Sequence, residues 1–471
     1  MGVVTDPSFV VTFRWFRGSA VSNPLMMLRA GMGLSQPEYA RLVAERHVEL
    51  GFGQMAARRE KVSRWESGRI APEHTAQLAM AHIHGVADGD VVRLGWPHWL
   101  YMAVGDGLLS GEQHDFESAV AALRGSVQLA GAPGPPGLVV RGAALARQLR
   151  AVGARVAAPE HACGREGPPL ARDLVEWLDG RISALERQHN RSSLAPTALY
   201  TAALAEHRIA VRLLTTAGYD ARTGGRLIAL AARTGLRCGW FSHMLGEYAR
   251  AERQALAAMR AAAAAGEPAL VSEAMVLLAI RHLEAGAPAD ARLLVRAART
   301  IDPRLPPDSQ VVLHAEDAMA RARGGEECGA VRELDKALEK TTGLGGDPEV
   351  EAGFDVMAQG FALSLVQARV ALGFGYLHEA GRHIDAAMPY LITPQAGPRC
   401  PHTGVFLLQA LDARIALGEL DRAVTVVHQA LAAVGALPPG LTVRYRKRLV
   451  PFQSEPLVRH ALDELAEAGS V

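Results

Sequence analysis

Apolar side chains along residues 23–86 fall three and four positions apart, the period of one helix face. Leu25 and Leu28 make the first such face, Tyr39, Ala40 and Val43 the second, and Val62 and Trp65 the third. Caps and breaks bound each one. Asn23-Pro24 starts a helix, because Asn accepts from orphan backbone donors and Pro has no donor to orphan. Gly31-Met-Gly33 ends it, and Ser35 with Glu38 spells a capping box that opens the next. Gly68 closes a basic helix beginning near Arg58, and Ala71-Pro72 opens another that runs to about His84.

Beyond this compact unit the pattern changes twice. Residues 1–22 read as an arm, in which Val10 to Phe16 is apolar apart from Arg14. Residues 91–169 read as a helical linker region. It carries a helical stretch near Glu112 to Leu129 and a short helix near Leu138 to Val152, with breaks at Gly131-Ala-Pro-Gly-Pro-Pro-Gly137 and from Pro159 to Pro169. From Leu170 onward helix follows helix. Gly246, Gly286, Gly325, Gly375 and Gly418 recur at spacings of 40, 39, 50 and 43, each followed five residues on by Ala251, Ala291, Ala330, Ala380 or Ala423. Gly permits a sharp turn between antiparallel helices, and the small Ala permits close packing after it. Repetition at this period predicts stacked helical hairpins over 170–471.

Composition agrees with an all-α fold. Hydrophobic residues are 49% and aromatic residues 5%, and long Val/Ile/Thr runs are scarce. The 471 residues exceed one ordinary core. A net charge of +1 means that any nucleic-acid surface is local. Cys163, Cys238, Cys328 and Cys400 are far apart, which argues against a disulfide framework or structural zinc and for reduced thiols. No run reaches the roughly 18 apolar residues of a membrane span, and the N-terminus lacks a signal-peptide pattern. Met1-Gly2 is followed by Asp6 where myristoylation wants Ser or Thr. A cytoplasmic chain is expected.

The local charge lies in one place. Arg58–Arg69 holds Arg58, Arg59, Lys61, Arg64 and Arg69 against Glu60 and Glu66, and Val62 and Trp65 turn inward. Leu34-Ser-Gln36 and Ala40, followed by Val62-Ser-Arg-Trp-Glu-Ser-Gly68, resemble the Cro/repressor-type (XRE) helix-turn-helix family. The resemblance implies a DNA-binding transcriptional regulator with its domain over 23–90. Gln36 would contact phosphate or brace the recognition helix. Arg59, Glu60 and Arg64 would face base edges, while Arg58, Lys61 and Ser67 lie near phosphates. Ser63 joins this set, and Arg29 on the first helix would reach the backbone. The chemistry fits: Arg pairs two donors with guanine, Glu accepts from cytosine, and Lys offers a point charge. One departure stands out. Gln36 to Trp65 spans 29 residues, longer than the compact family pattern, with the excess over Ala44 to Ala57.

The later helices resemble tetratricopeptide repeats, best at Gly418-Glu-Leu-Asp-Arg-Ala423 with Gln429-Ala-Leu431, and next at Gly246-Glu-Tyr-Ala-Arg-Ala251 with Gln254-Ala-Leu256. The family's repeat of about 34 residues is shorter than these spacings, so the hairpins of this α-solenoid are degenerate or have lengthened helices. Such a domain suits a peptide, small-molecule or protein effector and a homodimer contact. The alternative is an interaction scaffold with a vestigial DNA-binding domain. Enzyme chemistry finds no purchase: no nucleophile elbow, P-loop or HExxH motif is present, and His378 and His383 stand five apart, about 140° around a helix. No catalytic residue, metal or cofactor is expected.

Overall fold

The computed structural model describes residues 24–103, 115–128, 130, 138–158, 164–191, 196–305, 307–342, 361–392, 403–434 and 437–468. The described chain is all-α; its only β pairing is two isolated bridges, Arg165 with Tyr219 and Pro169 with Gly218. The expected arm over 1–22 and the break at 131–137 lie outside the described residues, as does 159–163 of the second break. No helix among the described residues is long and apolar enough to cross a membrane.

Residues 24–103 form one compact unit. Its helices are α1 (Pro24–Gly31), α2 (Gln36–Glu49), α3 (Arg59–Glu66), α4 (His74–Ile83) and α5 (Asp88–Leu94). The capping box is present: the Ser35 amide donates to the Glu38 carboxylate at 2.8 Å, and the Glu38 amide returns to Ser35 Oγ. Leu25, Tyr39, Val43, Val62, Met80 and Trp99 bury together in one core. The Trp99 indole N–H donates to Gln77 Oε1 on α4 at 3.1 Å, so residues after α5 close this unit.

Residues 115–468 form the second unit. It contains α6 (Phe116–Gln128), α7 (Gly142–Ala157), α8 (Arg172–Arg191), α9 (Pro196–Thr216), α10 (Ala221–Met244), α11 (Tyr248–Ala265), α12 (Pro268–Glu284) and α13 (Pro288–Ile301). There follow α14 (Pro307–Arg323), α15 (Glu327–Thr342), α16 (Phe361–Gly373), α17 (Leu377–Ile392), α18 (Thr403–Ala416), α19 (Leu420–Val434), α20 (Pro439–Leu449) and α21 (Pro456–Ala468). The helices of each pair α10/α11, α12/α13, α14/α15, α16/α17 and α18/α19 pack side by side.

One turn recurs along the second unit. Gly246, Gly286, Gly325, Gly375 and Gly418 all have φ between +74° and +79°, which glycine adopts without penalty. At each, the Gly amide donates to the carbonyl three residues back and the next amide to the carbonyl five back, at 2.8–3.1 Å. These bonds occupy the orphan carbonyls of the preceding helix. Five residues after each Gly, Ala251, Ala291, Ala330, Ala380 and Ala423 have no exposed surface. A sixth copy at Gly266 (φ +71°) joins α11 to α12, with Val271 in place of the Ala.

The linker expected over 91–169 is redrawn. Residues 91–103 belong to the first unit, and α6 and α7 pack into the second, against α11 and its neighbours. Carboxylates draw α7 in: Glu252 Oε1 accepts the Val139 amide at 2.7 Å, and Asp290 Oδ2 accepts the Gly142 amide at 2.9 Å. The stretch 164–169, read as part of the second break, pairs together with Leu170 to residues 218–219 through amides of Arg165, Leu170, Gly218 and Tyr219.

Candidate nucleic-acid interface

Eight residues make α3 too short to stand alone, since isolated helices under about 12–15 residues are marginal. Tertiary contacts hold it. Val62 is fully buried and Trp65 nearly so, each contributing about 1.5–3 kcal/mol by removing apolar surface from water. The second anchor is polar. Glu66, in the last turn, accepts from Arg29 Nε and from Gln36 Nε2, both at 2.6 Å. Arg29 also donates to the Leu34 carbonyl at 2.7 Å. At the other end of α3, Arg59 Nε donates to Gln36 Oε1 at 3.3 Å. Gln36 therefore spans both ends of α3, and α1, α2 and α3 meet at one carboxylate.

Glu60, Ser63, Arg64 and Ser67 follow the i, i+3, i+4, i+7 rule and are all exposed, on the face away from Val62 and Trp65. Arg59 and the half-buried Lys61 flank them, and Arg58 precedes the helix in an extended conformation. Ser67 Oγ donates to the Arg64 carbonyl at 3.0 Å. Because Glu66 is turned onto Arg29, the acid left outward in 58–69 is Glu60, against Arg58, Arg59, Lys61, Arg64 and Arg69. Arg29 is half-buried and engaged on Glu66 and Leu34, which makes it a brace and not a presented cation. Gln36 is engaged with Glu66 and Arg59, one near each end of α3.

The extra length between Gln36 and Trp65 has two parts. α2 runs on to Glu49, and Leu50 to Arg58 then form a non-helical connector. Gly51 (φ +79°) and Gly53 (φ +86°) let it turn back on itself. His47 pins it. Nδ1 donates to the Gly53 carbonyl at 2.9 Å, and Nε2 meets Thr75 Oγ1 on α4 at 3.0 Å. Phe52 packs edge-on to the same ring. In the sequence, His47 is marked only as a lone histidine on the inward side of a helix, just before a Gly-x-Gly turn. A second histidine supports the base of the unit. The Tyr39 hydroxyl meets His84 Nε2 at 2.8 Å, and burial pushes His84 down to about 4.

In comparison with known proteins, the chain matches no family model and no curated sequence.

Proposed function

We propose that the first unit is a helix-turn-helix that places α3 in the major groove of double-stranded DNA, and that the protein is a sequence-specific transcriptional regulator. One observation carries this reading. A helix clamped at both ends through Gln36 presents Glu60, Ser63, Arg64 and Ser67 along a single unobstructed stripe with a cationic surround. A braced helix with Arg and Glu outward meets the needs of base-edge readout, where Arg addresses guanine and Glu cytosine. Arg58 and Lys61 flank that stripe and Ser67 ends it, where phosphates run, while Arg29 serves by holding Glu66 in place. In this reading the second unit is an α-solenoid of tetratricopeptide-like hairpins; it receives an effector and mediates dimerisation, as one small unit reads too few base pairs for useful specificity.

The deciding experiment is selection of bound duplexes from a random pool by the full-length protein, followed by anisotropy titrations at several salt concentrations. Enrichment of one motif with affinity falling as salt rises is expected. Recovery of unselected sequence at every round would overturn the reading. Light scattering tests the dimer, with about twice the 50.2 kDa chain mass expected.

A further inference from the structure

Helix α20, the last but one, returns to the first of the repeated turns. Gly440 and Gly246 meet backbone to backbone, so close that a Cβ on Gly440 would lie 2.5 Å from the Leu245 carbonyl oxygen. Arg444 Nε donates to the Gly246 carbonyl at 2.8 Å. Its guanidinium lies 3.2 Å from the centroid of the Tyr248 ring, and that of Arg281, from α12, lies 4.1 Å from the same centroid. Arg281 Nε donates to the Tyr248 carbonyl at 3.2 Å. Two cations thus converge on one aromatic ring where three helices meet.

Their hydrogen-bonding capacity is not spent. Arg281 is 7% exposed and Tyr248 4%, yet Arg281 Nη1 and the Tyr248 hydroxyl are buried with no partner among the described residues. The surrounding charge is also unbalanced. Arg448 is engaged in a two-point pair with Asp412, at 2.8 and 3.1 Å. Among the described residues, Arg281, Arg323, Arg369 and Arg444 have no carboxylate within 4.0 Å. Glu284 is the carboxylate they share at longer range; the buried Glu252 also acts on Arg281, and Asp412 on Arg323. Burial would raise Glu284, but Arg369, His243 and Arg281 hold it below its ordinary value. Burial lifts Glu316 to about 7, so it supplies only part of a negative charge at neutral pH. Arg281 is the buried member of the group, Arg369 and Arg444 are half-buried, and the exposed Arg323 donates to the Leu283 carbonyl. A buried guanidinium donor left unpaired is costly, and an oxyanion satisfies several planar donors at once.

We propose that this junction binds a small ligand carrying a carboxylate or phosphate group, held by Arg281, Arg444 and the Tyr248 hydroxyl. An occupant would bridge α12 to α20 and tie the end of the second unit to its first repeated turn. This names the chemistry of the effector in the functional reading above, and its test is free of DNA.

The test is isothermal titration and thermal melting of the full-length protein with inorganic phosphate, phenyl phosphate and succinate, against sodium chloride at equal ionic strength. Saturable binding of a phosphate probe or of succinate is expected, with a rise in melting temperature that chloride does not produce. Preference for one probe class identifies the ligand's anionic group. Arg444→Gln and Tyr248→Phe each keep the fold's apolar contacts and are expected to weaken binding about tenfold or more. The proposal is overturned if neither anion class binds saturably at about 10 mM. It is equally overturned if binding is unchanged in both variants. Anion binding that persists in a protein selecting no DNA motif would sink the regulator reading and leave this site standing.

Discussion

Arg29 Nε donates to Glu66 Oε1 at 2.6 Å, joining residues 37 positions apart, with side chains only 15% and 7% exposed. This pair, with Gln36 as a third member, fixes the tilt of α3 more firmly than its two buried apolar side chains alone. Glu66→Ala is expected to destabilise the first unit by about 3 kcal/mol, since it strands a half-buried guanidinium and an amide donor. Hydrogen exchange on the amides of α3 in the full-length protein is the direct measure. Unchanged protection there would show that the pair does not position the helix.

Arg64 tests the outward stripe separately from the brace. It is exposed and makes no side-chain contact in the core, so Arg64→Ala is expected to leave melting unchanged. Affinity for the selected duplex is expected to fall by about 1–3 kcal/mol, the worth of a two-point base contact, with specificity relaxed at one position. Lys61→Ala is expected to weaken all sequences alike and reduce the salt slope by about one. Equal affinity of Arg64→Ala and wild type for the selected duplex would remove Arg64 from the interface.

The sequence makes these outward residues readable because a helix face declares itself by spacing. Glu60, Ser63, Arg64 and Ser67 follow from the inward positions of Val62 and Trp65. The capping box at Ser35 and Glu38 and the five glycine turns are readable for the same reason: each is complete within a dozen residues. What stayed hidden depends on distant partners. Arg29 looks like a free cation until Glu66 is folded against it. The helices α6 and α7 look like linker, flanked as they are by Pro and Gly. Glu252 and Asp290, more than a hundred residues on, accept the amides that draw α7 in. The turn at Gly266 escaped because its fifth following residue is Val271, equally buried but not Ala.

His207 gives the second unit an acid-sensitive joint. The ring is fully buried between α6, α9 and α10, with Nδ1 3.0 Å from Thr234 Oγ1 and Nε2 3.3 Å from Ser126 Oγ. Burial pushes it down to about 4 from an ordinary 6.5. Between those values the unfolded chain takes up a proton that the folded chain refuses, so stability falls as pH falls through this window and is complete above it. At pH 5 the loss is expected to be about 2 kcal/mol for this group. Melting of His207→Gln and wild type at pH 7 and pH 5 measures it: the variant is expected to lose less on acidification. Parallel losses would mean that His207 is not held neutral.

Two glycines with the same backbone conformation separate the intrinsic cost of the repeated turn from the seating of α20. Gly286 has φ +77°, and a Cβ there would meet nothing within 4 Å; Gly246 has φ +74°, and its Cβ would lie 2.7 Å from both the Gly440 carbonyl carbon and the Leu441 nitrogen. An alanine at either position bears the left-handed penalty of about 1–2 kcal/mol. At Gly246 the obstruction is main chain, which no rotamer change relieves, so α20 must withdraw and the Arg444 bond to the Gly246 carbonyl must break. Gly246→Ala is therefore expected to cost at least about 1 kcal/mol more than Gly286→Ala, on the scale of a lost charge-assisted hydrogen bond. The excess is expected as faster proteolysis and hydrogen exchange over residues 437–468, with the other turns unaffected. Equal costs, and unchanged protection of α20 in both variants, would show that the close approach of Gly246 and Gly440 does not hold the C-terminal helices in place.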